Sequence, residues 1–541
     1  MAISRRAILG AAALGSVTGL VSSCSPPSAP EGGTSSPGAD GSVPLPVTVP
    51  YEGVVPDAPA TPEGAAPYFR QFPDEPVAFV SDKPMAGGTV TALTFMNSLP
   101  APVDENVWWQ AINDALGGAI EMDGAAVGDY PAKLQTVVAS NDIPDLMAIL
   151  PGTVPAIGEL LAAKFADLSD HLAGDAVATY PGLANIPSDT WRGCMVDGRL
   201  YAVPIPRFSL DRCYLTRADL ADKAGVTAQP SNGEELLEVL RGLTDKKAKT
   251  FGAAHIWGLL QLFREMHGAP NDWAVVDGSL VKDYETEEFK AALEVARQVW
   301  SEGLVHPNAF DANISLQIQG YYNAGIIGFF PGVASWDSNA ESPLLEDPAA
   351  VSVPMEVNTW DGSGPAVRYL NGGAPYLTAI GNSDPARVEE LLRVVNWFAS
   401  PFGTKEYVLT KFGVEGVDHT VDDGVYTLTD QGKADYPSGL NYTGAPAMVH
   451  YSPTNPDIAE QEYDSEVLGM QTGIVSPSLG LASSTDESKG AALDRQMTDV
   501  QADIIQGRKP LSAWDDAVAD WRTKGGDTIR EEFGAALAAA G

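Results

Sequence analysis

The amino-acid sequence predicts an α/β protein with two lobes, and three observations support that fold class. Residues 89–150 alternate between strand-like and helix-like patterns, an order typical of parallel strands joined by helices. Roughly 455 residues follow the N-terminal region, more than a single hydrophobic core usually holds. Amphipathic helices recur to the end of the chain, so we expect the same organisation in both lobes.

The first elements place two loops at one edge of the predicted sheet. Residues 89–95 and 146–150 read as strands, and the spacing of apolar residues between them predicts two helices. Ligands of parallel sheets bind beyond the carboxyl ends of the strands. The loops at 97–106 and 151–154 follow such ends and are therefore predicted to face a ligand.

Turn and capping residues predict two later elements. Asp197 and Gly198 form an Asp-Gly pair, typical of the two-residue turn of a β-hairpin. Thr286 is suited to the N-cap of an amphipathic helix within residues 284–303, and Gly303 is suited to end it. We therefore expect a hairpin and a long helix in the middle of the chain.

The N-terminus carries the signals of an exported lipoprotein. Arg5 and Arg6 precede an apolar run over residues 7–21, too short to span a bilayer as a mature helix. The paired arginines resemble a twin-arginine export signal. The sequence Val-Ser-Ser-Cys ending at Cys24 resembles a lipobox, in which the cysteine sulfur receives diacylglycerol. Residues 1–23 are therefore predicted to be a signal peptide, and the mature protein to be lipid-anchored at the outer face of the cell membrane.

Residues 24–84 are rich in proline, glycine and serine and show no periodicity. Such a composition buries too little apolar surface to offset the entropy of ordering, and it predicts a semi-extended stalk. Four aromatic residues leave open a partly ordered arm that lies on the domain over the last third. They are Tyr68, Phe69, Phe72 and Phe79.

The net charge of −38 argues against partners that are themselves strongly negative. A field of this sign repels nucleic acid and anionic lipid headgroups, so neither is an expected partner. A polyanionic ligand is also disfavoured unless Ca²⁺ or a local arginine cluster intervenes. Most of the charge is expected to be an acidic surface that favours solubility.

Few residues point to redox, metal or catalytic chemistry. Besides Cys24, only Cys194 and Cys213 are present, and they could form one disulfide or remain two separate buried thiols. The six histidines show no metal-ligand spacing on one helix, and the sequence contains no nucleotide-binding loop and no nucleophile elbow. We expect no metal and no cofactor. The missing motifs do not by themselves exclude an enzyme, because a retaining glycosidase would also lack short motifs.

Eight motifs, in order along residues 86–540, resemble those of family 1 extracellular solute-binding proteins, in the larger lipoprotein branch. These proteins are the sugar-binding components of ABC importers. The motifs lie at residues 130–136, 139–145, 197–204, 215–220, 267–273, 302–307, 412–420 and 504–510. Each is weak alone, but their shared order makes the resemblance specific.

The resemblance implies a periplasmic-binding-protein-like fold of type II, with two α/β lobes that close on a ligand about a hinge. Residues 85–204 and 352–400 would form lobe one. Residues 205–351 and 401–541 would form lobe two. The chain would therefore cross between the lobes shortly after residue 203 and again shortly after residue 351.

Sugar recognition requires aromatic rings that stack on pyranose faces and planar polar groups that bind hydroxyls. Among aromatic residues the resemblance and the strand positions favour Trp336, which follows a short strand at 325–330, with Trp257 and Tyr376 as further candidates. The polar candidates lie near expected strand ends or near the first crossing. They are Asn97, Asp104 and Arg207.

Taken together, these features predict a non-enzymatic, monomeric subunit that captures an oligosaccharide and delivers it to ABC permease subunits. One alternative is a secreted lipoprotein enzyme that acts on polysaccharide and carries a carboxylate pair across a cleft. Another is a peptide- or lipid-binding member of the same fold, with few stacking aromatic residues in the cleft. The sequence does not identify the sugar or its length.

Overall fold

The computed structural model of the chain describes residues 42–96, 100–126, 128–150, 157–311, 314–333, 340, 342–344 and 346–540. The strands within these residues are β1 (Thr89–Met96), β2 (Ala119–Ala126), β3 (Leu146–Ile149), β4 (Met195–Val196), β5 (Arg199–Leu200), β6 (Ala202–Ile205), β7 (Arg212–Arg217), β8 (Trp273–Val276), β9 (Ser279–Lys282), β10 (Phe329–Val333), β11 (Ser352–Pro354), β12 (Arg368–Leu370), β13 (Tyr376–Ile380), β14 (His419–Asp422), β15 (Val425–Leu428) and β16 (Gly473–Val475).

The helices are α1 (Val107–Leu116), α2 (Tyr130–Ser140), α3 (Ile157–Lys164), α4 (Ser169–Leu172), α5 (Pro181–Ala184), α6 (Ala218–Ala224), α7 (Gly233–Gly242), α8 (Ile256–His267), α9 (Glu287–Glu302), α10 (Ile314–Asn323), α11 (Pro385–Phe398), α12 (Lys405–Phe412), α13 (Asp430–Asp435), α14 (Pro456–Gln471), α15 (Ala491–Ile505), α16 (Ala513–Trp521) and α17 (Asp527–Ala540). None of these helices is long and apolar enough to cross a bilayer, a finding that applies to the described part of the chain.

The first lobe is built on a five-stranded sheet in the order β2-β1-β3-β13-β6. Strand β1 pairs in parallel with β2 and β3, whereas β13 runs antiparallel to both of its neighbours. Strand β3 is buried along its whole length, as expected for a strand of a sheet that is covered on both faces. The predicted α/β class is confirmed, with strands and helices where the hydrophobic pattern placed them.

The second lobe has its own sheet and its own hydrophobic core. Strand β7 is the central strand, and β10 and β11 pair with it on either side in antiparallel orientation. Helices α7, α8 and α9 pack together with the C-terminal helices α15 to α17 in one core. The Phe289 and Trp514 rings stack in that core with centroids 5.0 Å apart. The aromatic residues of the last helices are therefore packing residues.

The predicted hairpin and capped helix are both present. Asp197 and Gly198 turn between β4 and β5 with φ angles of 48° and 75°, which an Asp-Gly pair adopts readily. The Thr286 side chain accepts a hydrogen bond from the Phe289 amide at the start of α9. Gly303 ends the helix with a φ angle of 67°, in the left-handed region that favours glycine.

Two extended segments cross side by side between the lobes. Residues 206–211 lead from β6 to β7, and residues 371–375 lead from β12 back to β13. The Arg207 amide donates to the Gly373 carbonyl at 2.8 Å, and the Asn371 amide donates to the Ser209 carbonyl at 2.9 Å. These crossing segments form a hydrogen-bonded pair that joins two separately packed lobes.

The C-terminal part of the chain is divided between the lobes differently from the prediction. Residues 401–445 were assigned to lobe two, but α12, α13 and the turn at 438–442 pack on the first lobe. Trp108 of α1 donates from its indole nitrogen to the Leu409 carbonyl, and Leu440 belongs to the first-lobe core. These contacts are long-range, and local sequence patterns carry no information about them. The assignment is therefore corrected for this stretch. It is also corrected for residues 352–370, which were assigned to lobe one: β11 pairs with β7 and Val357 packs in the second-lobe core, so the chain returns to the first lobe only at 371–375.

Residues 42–84, here called the arm, lie against the folded domain. The arm first contacts the first lobe, where the Tyr51 amide donates to Asn185 at 2.8 Å. It then contacts α14 on the second lobe, where the Ala66 amide donates to Glu466 at 2.9 Å. It returns to the first lobe, where the Phe79 amide donates to Glu406 at 3.0 Å. The predicted stalk is therefore wrong for the arm, because its backbone groups find partners on the domain. The alternative of an arm that lies on the domain holds, and it extends over all of residues 42–84 and not over the last third alone.

The two remaining cysteines lie in different cores. Cys194 is buried in the first lobe, and Cys213 of β7 is buried in the second. They are not joined by a disulfide, so the alternative of two separate buried thiols holds. Burial raises the pKa of the Cys194 thiol well above its usual value, which makes this side chain unreactive.

Candidate functional site

The carboxyl edge of the first-lobe sheet gathers side chains from distant parts of the sequence. Strands β1, β3 and β6 end at this edge, and β13 begins there because it runs antiparallel to them. Phe95 lies near the end of β1, Tyr376 starts β13, and Arg207 follows β6 in the first crossing segment. Two residues nominated from the sequence, Arg207 and Tyr376, are thus brought together.

Four side chains form what is here called the tyrosine–arginine cluster: Phe95, Arg207, Tyr376 and Tyr442. The Arg207 guanidinium carbon lies 5.3 Å from the Tyr376 ring centroid and 5.4 Å from that of Tyr442. The two tyrosine rings stand edge to face, with centroids 5.5 Å apart. Phe95 is buried beneath them, 3.8 Å from the Tyr442 centroid. Rings and guanidinium hold each other in place through cation–π and aromatic contacts.

A short polar relay lies next to this cluster. The Lys411 ammonium is 3.5 Å from the Asn441 side-chain oxygen, and the Asn441 amide donates to the Tyr436 hydroxyl at 2.6 Å. Burial and the nearby charge of Arg207 lower the pKa of Lys411 to about 8. The same burial raises the pKa of Tyr376 and Tyr436, so both phenols are neutral hydrogen-bonding groups.

The second lobe presents polar groups next to the same crossing. Arg212 starts β7 and donates from Nε to the Gln261 side-chain oxygen at 2.6 Å. Gln261 in turn donates to Asp211 at 2.9 Å. His255 caps α8 and accepts a hydrogen bond from the Gly258 amide at Nδ1, while its Nε2 lies 3.3 Å from the Ser315 hydroxyl. This face can offer both hydrogen-bond donors and acceptors.

His255 is held neutral by its surroundings. Burial first and the Arg212 charge second lower the pKa of His255 to about 4. Because Nδ1 accepts the Gly258 amide, the proton of the neutral ring belongs on Nε2, facing Ser315. His255 is thus a fixed hydrogen-bonding group at physiological pH.

Replacing His255 with asparagine is expected to flatten the pH dependence of stability in the acidic range. His255 binds a proton below about pH 6.5 in the unfolded chain, but only below about pH 4 in the native state. The free energy of unfolding therefore falls as the pH drops through this window. Asparagine still caps α8 but does not titrate. Melting temperatures of His255→Asn and the parent should therefore diverge between pH 6.5 and 4. Identical slopes would contradict a neutral native histidine.

The remaining nominated residues do not join the cluster. Asp104 is exposed in the turn at 103–105 before α1. Trp257 is half-buried and packs edge-on against Phe310 in the second-lobe core, with centroids 5.7 Å apart. Asn97 and Trp336 lie outside the described residues, although β10, the strand before Trp336, ends at Val333 opposite Arg212. The roles suggested for these four residues stay predictions.

Sequence reasoning missed Tyr442, Lys411 and His255. Tyr442 comes from the turn at 438–442, which had been assigned to the other lobe. The only local signal is an aromatic residue in a loop rich in glycine, serine and asparagine, and such a residue has no helical or strand stripe to join. Lys411 lies on an amphipathic helix, where a lysine ordinarily reads as a solvated position.

A cavity of about 1050 Å³ lies between the arm and the crossing segments. Arm residues 48–69 form one wall, and residues 206–209 of the first crossing form another. Apolar side chains of the second lobe, among them Met470, complete the lining of the cavity.

Within the described ranges, no three His, Cys, Asp or Glu side chains are grouped so that they could hold a metal ion.

Two α/β lobes joined by paired crossing segments, with a ring-lined cationic face where they meet, define a bilobal ligand-binding protein. Residues 108–414 match the family described as "Bacterial extracellular solute-binding protein". The chain belongs to this family, and the resemblance drawn from the sequence is confirmed.

Similar proteins of known name agree with this membership. Lipoprotein LipO of Bacillus subtilis (strain 168) is 22% identical over 473 residues, which cover 82% of this chain and 91% of LipO. The polygalacturonan/rhamnogalacturonan-binding protein YtcQ of the same organism is 22% identical over 374 residues, which cover 66% of this chain and 74% of YtcQ. Both alignments extend beyond the residues matched by the family description.

Solved structures share the fold at low sequence identity. The alginate-binding protein AlgQ2 without calcium ion has a TM-score of 0.60 at 16% identity, covering 86% of this chain and all of that chain. The substrate-binding protein FusA of Streptococcus pneumoniae, in complex with kestose, has a TM-score of 0.60 at 16% identity, covering 84% of this chain and 99% of that one. At this identity the likeness establishes the two-lobed fold.

Proposed function

We propose that this chain is the lipid-anchored receptor of an ABC importer, and that it captures an oligosaccharide between its lobes and delivers it intact to permease subunits. The tyrosine–arginine cluster is the observation that carries the proposal. Two half-buried tyrosine rings at the lobe junction can stack on pyranose faces, and Arg207 between them can bind ring substituents. The proteins YtcQ and FusA, named for saccharide ligands or bound to one, support this substrate class.

Ligand capture is expected to occur by hinge-bending closure of the two lobes. The paired crossing segments are short, so small changes of their backbone angles would move one lobe relative to the other. The cluster on the first lobe and the Arg212–His255 face on the second would then contact opposite sides of the sugar. The receptor would work as a monomer and hydrolyse no bond.

A thermal-shift screen tests the function. The chain from Ser25 onward, without leader and lipid-bearing cysteine, would be heated with mono- and oligosaccharides, peptides and Ca²⁺. A ligand at a hundredfold excess over Kd stabilises the native state by about 2.7 kcal/mol. A shift with one saccharide class, followed by recovery of that sugar intact, is the expected result. Recovery of cleaved sugar, or shifts with peptides alone, would contradict the proposal.

Replacing Tyr442 with alanine is expected to weaken binding of the identified sugar about tenfold or more, because a stacking ring is lost; tenfold corresponds to about 1.4 kcal/mol. Isothermal titration calorimetry measures the change. The matched control is Tyr463→Ala, which removes a half-buried tyrosine that packs against Tyr68 of the arm, away from the cluster. Equal losses in both variants would show that the ring acts through folding and not through contact.

Membrane attachment is proposed to depend on Cys24. The lipobox-like sequence ending at Cys24 and the lipoprotein relative LipO support this attachment. In cells fed labelled palmitate, the parent protein should carry label and sediment with membranes, whereas Cys24→Ala should carry none and appear in the medium. Replacing Arg5 and Arg6 with lysine should reduce export. Label that survives in Cys24→Ala would refute the anchor.

A further inference from the structure

The tyrosine–arginine cluster is a cationic site in a strongly acidic protein. The chain carries 71 acidic and 33 basic residues. Within the described residues, the Arg207 side chain donates only to the Pro206 carbonyl and the Lys411 side chain only to the Asn441 side-chain oxygen, and neither forms a salt bridge. By contrast, the arginine that starts the second-lobe sheet, Arg212, has the Asp211 carboxylate 3.9 Å away.

The Arg207 guanidinium lies against the Tyr376 and Tyr442 rings, and its charge acts on the Lys411 ammonium. Arg207 shifts the pKa of Tyr376, Tyr436 and Lys411, and no carboxylate of the described residues contributes to those shifts. Lys411 is half-buried on α12, so its charge is only partly screened by water. Two cations that are held close together without an anion are destabilising in a native protein. A bound anion would remove that cost.

We propose that the tyrosine–arginine cluster, backed by Lys411, binds the carboxylate of an acidic saccharide, a uronate unit whose ring stacks on Tyr376 or Tyr442. This inference rests on the proposed function and names its substrate class. The guanidinium is fixed between two rings, so its remaining N–H groups offer a planar fork, which matches the two oxygens of a carboxylate. Lys411 contributes charge without the fork.

The same arrangement explains how a protein of net charge −38 can bind an anion. Long-range repulsion between ligand and protein is screened beyond about 8 Å at physiological ionic strength. At the cluster itself the charged side chains are Arg207 and Lys411, and a neutral sugar would leave both cations without a partner. Discrimination against neutral sugars therefore follows from the desolvated charges, as a site built for a polar group rejects the analogue that lacks it.

The test compares each acid with its own methyl ester. Oligogalacturonates, oligomannuronates and oligoglucuronates of two to four units would be titrated calorimetrically into the chain from Ser25 onward, alongside fully methyl-esterified and sulfated counterparts. The ester keeps ring, linkage and length but removes the charge. We expect at least one acid to bind a hundredfold or more tighter than its ester, with affinity falling as salt is raised.

Variants then assign the preference to the cluster. Arg207→Gln is expected to reduce the acid-to-ester ratio to near one, and Arg207→Lys to restore only part of it because the fork is missing. Lys411→Met should lower the ratio less. The matched control is Arg297→Gln, a solvent-accessible arginine of α9 paired with Glu294, which should leave the ratio unchanged. Melting temperatures verify that each variant is folded.

Three outcomes would overturn the inference. A neutral saccharide that binds as tightly as the best acid would remove it and leave the receptor function standing. A sulfated sugar preferred over the carboxylate would replace the named anion. An acid preference that Arg207→Gln does not change would place the anion elsewhere. If no saccharide of either kind binds, the proposed function fails as well, so the two failures are distinguishable.

Discussion

Replacing Arg368 with methionine is expected to destabilise the protein by about 3–5 kcal/mol at neutral pH, because it breaks a buried ion pair. Arg368 on β12 donates to Glu265 of α8 at 3.0 Å, and their side chains are 5% and 0% exposed. The arginine also donates to the Arg212 carbonyl at 2.7 Å and covers the Tyr214 ring. The variant would leave an acidic side chain buried without its cation.

The pH dependence identifies the mechanism of this loss. Burial already raises the pKa of Glu265, with Arg368 opposing the rise. Without Arg368, folding at neutral pH would require the carboxyl group to take up a proton, so the loss should be smaller near pH 4.5 than at pH 7. Urea unfolding of parent and Arg368→Met at both pH values measures the difference.

A surface pair provides the control for this prediction. Arg241 and Glu302 form a bidentate pair, but their side chains are 39% and 32% exposed. Arg241→Met should cost less than 1 kcal/mol, since water screens the remaining charge. Similar losses in Arg241→Met and Arg368→Met, or no pH dependence in the latter, would contradict the assigned role of burial.

Replacing Phe72 with alanine is expected to lower the free energy of unfolding by about 3–5 kcal/mol. If the arm is held to the domain by less than this, the arm detaches and the loss is limited to that smaller free energy. Phe72 is 3% exposed and lies among four aromatic rings of the domain. Its centroid is 4.7 Å from that of Phe402, 5.2 Å from Tyr426 and 5.8 Å from Tyr407. These ring contacts are lost when the arm leaves the domain.

Hydrogen exchange separates the two ways of losing this energy. If the arm detaches in Phe72→Ala, amides of residues 57–80 should exchange much faster while those of β1 and β3 stay protected. The control is Val77→Ala, whose side chain is 52% exposed and which should change stability by less than about 0.5 kcal/mol. Unchanged protection of the arm together with unchanged stability would refute the anchoring role of Phe72.

The parts of the fold that were predictable are those specified by local chemistry. The caps of α9 at Thr286 and Gly303 were correct because one side-chain oxygen and one left-handed glycine suffice to define a helix end. Arg207 could be nominated because it lies near the expected crossing, next to the strand ends where ligands of parallel sheets bind. These inferences require only neighbours in sequence.

Long-range contacts account for what could not be predicted. Tyr442 contacts Tyr376 only because residues 401–445 return to the first lobe. Long-range contacts hold them there, for example the hydrogen bond from the Trp108 indole to the Leu409 carbonyl. The proline-rich arm has no periodicity of its own, so its order arises from partners elsewhere, for example Ser188 for Thr48. Composition therefore predicts whether a segment folds by itself, but not whether it binds to a surface elsewhere in the chain.

The docked arm also limits how far the receptor can travel from the membrane. If the lipid is carried by Cys24, as proposed, about 18 residues separate the anchor from Ser42, the first described residue of the arm. A fully extended chain of that length reaches roughly 60 Å, compared with roughly 200 Å if the whole segment to Met85 were loose. A shorter tether confines the receptor to a thinner layer above the bilayer. Its effective concentration at a permease in that membrane is correspondingly higher.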